Sequence, residues 1–78
     1  MASHKSFPKA LGEEVRHRRN VLQISQEELA DRAGLHRNAI GRLERGTLNP
    51  SVMTLLSVVA EFDIPLSELV VCTERRMR

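Results

Sequence analysis

The fold of this 78-residue chain is decided by residues 25–46, which read SQEELADRAGLHRNAIGRLERG. Ser25 is followed three residues later by Glu28, and this capping-box pattern marks the start of a helix. Gly34 can adopt the left-handed backbone conformation that commonly ends a helix. The pattern therefore predicts one short helix over 26–33 and a sharp turn directly after it.

A second short helix follows this turn almost at once, and Gly46 can end it. Ala30 is small where the second helix must cross the first closely, while Leu35 and Ile40 can fill the space between the two helices. Two short helices in this arrangement form a helix-turn-helix, which presents its second helix to the major groove of DNA. We therefore expect a helix-turn-helix over 26–45.

Apolar residues in the rest of the chain recur at helical spacing, and no stretch alternates as a strand would. Pro8 suits the first turn of a helix, Ser51 suits a helix cap, and Asp63 tolerates the left-handed conformation that ends a helix. We predict an all-α, five-helix single domain over 1–78, with a loose arm over 1–8 and a basic tail over 72–78. The expected helices cover about 8–21, 26–33, 36–45, a fourth from Ser51 to Asp63, and a short fifth that starts at Pro65.

The composition argues against several classes of protein. The longest apolar stretches, such as Leu69–Cys72, are far shorter than the ~20 residues that a membrane span needs. A single cysteine cannot form an internal disulfide, so we expect a reducing, cytoplasmic compartment. The three histidines share no metal-ligand spacing, and no nucleophile–base pair or paired carboxylates are evident. We therefore expect no enzyme activity, metal, cofactor or small-molecule ligand. The histidines are His4, His17 and His36.

The charges are segregated along the chain. Residues 1–46 hold nine Lys or Arg against six Asp or Glu, whereas residues 47–71 hold three acids and no base. A basic front and an acidic back favour one face that meets a polyanion, although a merely solvated basic face would give the same pattern. The chain has two Phe and no Trp or Tyr, so stacking on nucleic-acid bases is a poor mechanism for it.

The chain resembles the lambda-repressor/Cro (XRE-type) helix-turn-helix family over roughly residues 9–71. The resemblance is carried by the string from Ser25-Gln26-Glu27-Glu28-Leu29-Ala30 through Arg42-Leu43-Glu44-Arg45-Gly46 to Asn49-Pro50-Ser51. It implies a sequence-specific regulator that binds double-stranded DNA. Small members of the family include phage repressors, antitoxins and restriction–modification controller proteins, and the length and plan of this chain favour a controller protein. The alternative is an antitoxin or an adaptor that uses the same fold to bind a protein.

The resemblance also assigns roles to individual residues. Arg37, Asn38 and Arg42 match the family's base-reading positions, and their chemistry suits guanine and adenine edges. At His36 the family usually has a better capping residue, so this side chain is a further candidate for base contact. Candidates for phosphate contact lie at the start of the second helix and around the end of the third: Gln26, Arg45, Thr47, Asn49 and Ser51.

A further expectation concerns an ion pair within the fold. Arg19 interrupts the apolar face that Leu11, Val15 and Leu22 form on the first helix, and the resemblance pairs it with Glu44 between the first and third helices. Such a pair would fix the angle of the recognition helix.

The last expectation concerns assembly. Val70 and Val71 are adjacent, so they cannot both face the core from one helix. With Leu66 they are our candidates for the interface of a symmetric homodimer that reads two half-sites of a palindromic operator.

Overall fold

The computed structural model describes residues 5–78, and the described residues form five helices and no strand. The all-α, five-helix prediction is therefore confirmed. The helices are α1 (Phe7–Leu22), α2 (Gln26–Ala33), α3 (Ala39–Glu44), α4 (Val52–Phe62) and α5 (Leu66–Arg76). No helix among residues 5–78 is long and apolar enough to cross a membrane.

Side-chain caps explain where most of the helices begin. Ser25 Oγ accepts a hydrogen bond from the Glu28 N–H at 3.0 Å, so α2 begins at the residue that the capping box predicts. Ser51 Oγ accepts from the Thr54 N–H at 3.0 Å in the same way. Asp63 ends α4 in the left-handed conformation, at a φ of 58°, as expected.

The prediction of a loose arm over 1–8 is wrong for its last two residues. Residues 1–4 of that range, which include His4, lie outside the described residues. Phe7 and Pro8 belong to α1, because Ser6 caps the helix and Pro8 is compatible with its first turn.

The third helix is shorter than the predicted range of about 36–45. His36–Asn38 form a turn that precedes α3, in which His36 Nδ1 accepts from the Asn38 N–H at 3.2 Å. The Ala39 N–H then donates to the His36 carbonyl at 2.9 Å. The imidazole thus accepts from a backbone N–H inside this turn, and the helix starts at Ala39, three residues later than predicted.

The basic tail expected over 72–78 is also wrong, because α5 continues through Arg76. Thr73 is fully buried, and its hydroxyl donates to the Leu69 carbonyl at 2.8 Å. Arg76 Nε donates to Glu14 Oε1 at 2.8 Å across 62 residues of sequence. The burial of Thr73 and the bond from Arg76 to Glu14 attach the last turns of α5 to the body of the domain.

The core lies where α1 crosses α3 and α5 and where α2 packs on α4. Its fully buried side chains come from all five helices: Leu11, Val15, Leu29, Ile40, Leu43, Val58 and Leu69. Leu11 and Val15 are buried as expected, but Leu22, the last residue of α1, is 41% exposed. Gly12 allows α1 and α3 to meet closely, since a Cβ there would lie 2.4 Å from the Glu44 carbonyl oxygen.

Candidate nucleic-acid interface

The turn between α2 and α3 is held by backbone hydrogen bonds. Gly34 has a φ of 71° and donates to the carbonyls of Ala30 and Asp31, and the Leu35 N–H donates to the Ala30 carbonyl at 2.8 Å. Ala30 and Ile40 are fully buried on the inner side of the turn. The pair of helices therefore turns one side to the core and leaves the other side to solvent.

The solvent side carries the side chains expected to read bases. Arg37, Asn38 and Arg42 are all exposed. Asn38 and Arg42 make hydrogen bonds to other described residues only through their backbone atoms. Arg37 makes no hydrogen bond to another described residue. Their guanidinium and amide groups are thus not engaged within residues 5–78. Arg42 lies within α3, whereas Arg37 and Asn38 lie in the turn before it. His36 is exposed as well, with its Nδ1 occupied by the Asn38 N–H.

The residues expected to contact phosphates differ in whether their side chains already make hydrogen bonds within the protein. Arg45 and Asn49 are exposed. Thr47 Oγ1 donates to the Arg42 carbonyl at 3.2 Å, and Ser51 Oγ caps α4. These two hydroxyls therefore also shape the loop between α3 and α4.

Gln26 is turned inward at the first position of α2. Its Nε2 donates to Glu44 Oε1 at 2.9 Å, so one of its two amide N–H groups is already engaged. A phosphate contact by Gln26 needs the second N–H of its Nε2, its backbone N–H, or the release of that bond.

Glu44 is the centre of a buried polar cluster. Its side chain is 0% exposed, and Arg19 donates to both carboxylate oxygens, at 2.7 Å from Nε and 3.1 Å from Nη2. Arg19 Nη1 also donates to the Ile24 carbonyl at 2.8 Å. The pairing expected of Arg19 and Glu44 is thus present, in the two-pronged geometry that a guanidinium allows.

Arg16 is a third donor to Glu44 that the sequence analysis missed. Its Nε lies 3.2 Å from Glu44 Oε1. Burial alone would raise the pKa of Glu44, but the hydrogen bonds from Arg19, Gln26 and Arg16 outweigh burial and hold that pKa below its ordinary value. Glu44 is therefore ionised at neutral pH, and its charge is matched by two arginines.

A second charged cluster joins α1 to α5 and was also missed. Glu14 is 4% exposed and accepts from Arg18 Nε at 2.7 Å and from Arg76 Nε at 2.8 Å. Burial raises the pKa of Glu14, but the hydrogen bonds from Arg76 and Arg18 lower it further than burial raises it. Arg18 also donates to Glu68 Oε2 at 3.2 Å and lies 3.4 Å from Cys72 Sγ. The cluster fixes how α5 lies on α1.

The three residues expected at a dimer interface differ in exposure. Val71 is 44% exposed on the outer side of α5, and Val70 is half-buried. Leu66 packs against the core, so only part of its side chain is available to a partner.

Comparison with known proteins places this geometry in context. The family model described as helix-turn-helix matches residues 15–69. Control protein C.SmaI of Serratia marcescens is 39% identical over 59 residues, which cover 76% of this chain and 70% of that protein. The restriction-modification controller protein C.AhdI of Aeromonas hydrophila superposes with a TM-score of 0.75 at 36% identity, over 78% of this chain and 92% of the other.

The clp gene regulator ClgR of C. glutamicum has the same fold over the whole of both chains. Its TM-score is 0.88 at 23% identity. At that identity the likeness concerns the fold alone. It extends the match to all five helices, including the last turns of α5.

Proposed function

This chain belongs to the XRE-type helix-turn-helix family of DNA-binding transcriptional regulators, and from that premise we propose that it binds a palindromic operator as a homodimer. In this proposal α3 enters the major groove and the turn before it faces the base edges. The observation that carries the proposal is the exposed side of the helix-turn-helix, where Arg37, Asn38 and Arg42 have side chains with no hydrogen-bond partner within residues 5–78.

These three side chains supply the donors and acceptors that base pairs present. An arginine can donate two hydrogen bonds to guanine O6 and N7, and an asparagine can bond adenine N6 and N7 in the same way. Because Arg37 and Asn38 precede α3, they would lie where the N-terminal part of a recognition helix meets the base edges. Arg42 is one turn further along and would read a neighbouring base pair.

Phosphate contacts would flank this reading surface. We assign them to Gln26 at the start of α2 and to the exposed residues after α3, because backbone phosphates border the groove on both sides. The exposed or partly engaged candidates after α3 are Arg45, Thr47, Asn49 and Ser51. Such contacts hold the protein in register on the DNA but do not distinguish sequences.

A dimer follows from the small size of the reading element. A helix of six residues and its preceding turn contact few base pairs, and a two-fold copy doubles that number at half-sites one helical turn apart. The exposed side of α5 is our candidate for the interface, with Val71 and Val70 at its centre and the outer part of Leu66 at its edge.

Among regulators of this family we favour a restriction–modification controller protein. C.AhdI, to which the chain is 36% identical, is described as a restriction-modification controller protein. C.SmaI, to which it is 39% identical, is named a control protein. The family match over residues 15–69 includes the proposed reading surface and Leu66, and it ends just before Val70 and Val71.

Selection from a pool of random duplexes tests the proposal and requires no assumption about the operator sequence. We expect repeated rounds of binding and amplification to enrich an inverted repeat whose half-sites lie about 10 base pairs apart, one turn of B-DNA. Enrichment of a single non-repeated site would contradict the dimer, and the absence of any enriched motif would contradict sequence-specific binding.

Substitution in α5 tests the interface separately. We expect the Val70→Asp/Val71→Asp double variant to sediment as a monomer at micromolar concentration, where the wild type sediments as a dimer, because two carboxylates would be buried unpaired between the copies. Val71→Asp alone should act in the same direction, and it leaves the half-buried Val70 in place if the double variant folds poorly.

The matched control is Val52→Asp/Met53→Asp, which puts two acids on exposed apolar positions of α4. We expect this variant to remain a dimer. A wild type that sediments as a clean monomer, on and off DNA, would refute the interface.

A further inference from the structure

Glu44 has more donors than one of its oxygens can accept. Oε1 lies 2.9 Å from Gln26 Nε2, 3.1 Å from Arg19 Nη2 and 3.2 Å from Arg16 Nε. A carboxylate oxygen offers two lone pairs, so three donors compete for two positions. The bond from Arg16 is the longest of the three and is the one most easily given up.

The two arginines of this cluster differ in their surroundings. The Arg19 side chain is 13% exposed and makes three hydrogen bonds, to both oxygens of Glu44 and to the Ile24 carbonyl. The Arg16 side chain is 55% exposed, and its two Nη groups have no acceptor within residues 5–78. Arg19 is therefore a fixed part of the core, whereas Arg16 presents a positive charge and four unused N–H donors to solvent.

Arg16 also lies beside the N-terminus of α2. Its Nε and the Nε2 of Gln26, the first residue of that helix, are both within 3.2 Å of a single oxygen atom. The first backbone N–H groups of α2, beginning with that of Gln26, have no acceptor within the helix. An anionic oxygen that approached the start of α2 would thus meet the exposed guanidinium of Arg16.

We propose that Arg16 is a further contact to the DNA backbone, made by exchanging its bond to Glu44 for a bond to a phosphate oxygen beside the start of α2. The inference rests on the proposed function, because it assumes that this side of the molecule meets DNA. The exchange leaves no buried charge unpaired, since Glu44 keeps both hydrogen bonds from Arg19. Positive charge is available for the phosphate, because Arg16 and Arg19 together carry two charges against the single charge of Glu44.

The salt dependence of binding to the selected operator tests this inference. Each phosphate contact contributes about 0.9 to the slope of log Kobs against log salt concentration, so Arg16→Gln should reduce the slope by about 1.8 for a dimer. Arg16→Lys keeps the charge and loses the Nε bond to Glu44, and it should keep the slope of the wild type. The matched control is Arg32→Gln, which removes an arginine that is 47% exposed, against 55% for Arg16, and whose Nε donates to Glu28 at 2.8 Å. Its slope should equal that of the wild type.

The possible results separate this inference from the proposed function. A reduced slope for Arg16→Gln, with wild-type slopes for Arg16→Lys and Arg32→Gln, supports the contact. An unchanged slope for Arg16→Gln overturns it, whatever happens to the melting temperature, because a purely structural role does not release counterions. An equal loss in Arg16→Lys or in Arg32→Gln overturns it too. If the wild type itself binds no duplex, the proposed function fails. This result is seen in the wild-type titration, before any variant is compared.

Discussion

Glu44→Ala is expected to destabilise the domain more than any other single removal of a charged side chain. The substitution leaves the guanidinium of Arg19 largely buried and without its carboxylate partner, a change that typically costs about 3–5 kcal/mol. Small domains have a total free energy of unfolding of about 5–15 kcal/mol, so much of the stability would be lost. Equilibrium urea unfolding, followed by circular dichroism, measures this directly.

The same variant distinguishes structural from electrostatic effects on DNA binding. Removal of an acid near a polyanion should tighten binding if only net charge mattered. We expect weaker binding instead, because Glu44 connects α3 to Arg19 on α1 and to Gln26 on α2. An unchanged unfolding midpoint together with tighter DNA binding would contradict this account of the cluster.

Two control variants make the result specific to the cluster. Glu74→Ala removes an exposed glutamate of α5 and should change stability by no more than about 0.5 kcal/mol. The double variant Arg19→Met/Glu44→Leu removes both charges and should be more stable than Glu44→Ala, because no buried charge is left alone.

The helix boundaries show which signals a sequence carries locally. The bounds of α2 follow from Ser25 and Gly34, since each acts on backbone groups within a few residues of itself. The start of α3 could not be placed in the same way. The outcome depends on whether the His36 ring turns back to the Asn38 N–H, and that choice is made by side-chain geometry.

The end of α5 depends on contacts that are remote in sequence. Residues 72–78 look like a basic tail because Arg75, Arg76 and Arg78 are close together, and only the fold brings Glu14 to Arg76. The available signal was the acid and base four residues apart on α1, Glu14 and Arg18. That pattern more often marks an exposed surface, so it did not identify a buried cluster.

The candidate site was likewise predictable in part. The pairing of Arg19 with Glu44 was expected from the family resemblance and not from spacing along the chain. The additional donors, Arg16 and Gln26, could not be foreseen, because they come from two different helices, α1 and α2, that meet α3 only in the folded domain. How many donors surround a buried carboxylate is a property of packing in three dimensions.

Loss of Arg37 or Arg42, the arginines that we propose as base readers, is expected to have the largest effect on sequence recognition. Arg37→Ala and Arg42→Ala should each reduce the free energy that separates the operator from a scrambled duplex by about 1–3 kcal/mol, the value of one bidentate contact to guanine. Stability should change little, because both side chains are exposed and make no hydrogen bond to another described residue. Arg32→Ala, at an exposed position of α2, is the control and should leave recognition unchanged.

The most direct measurement of the central claim is the comparison of the motifs that the wild type and these two variants select from random duplexes. If α3 and its preceding turn read the major groove, each variant should lose its preference at one base pair in each half-site. The rest of the inverted repeat and its spacing should stay the same. Selection of the same motif by all three proteins, with equal preference at every position, would contradict the claim and place the reading surface elsewhere on the molecule.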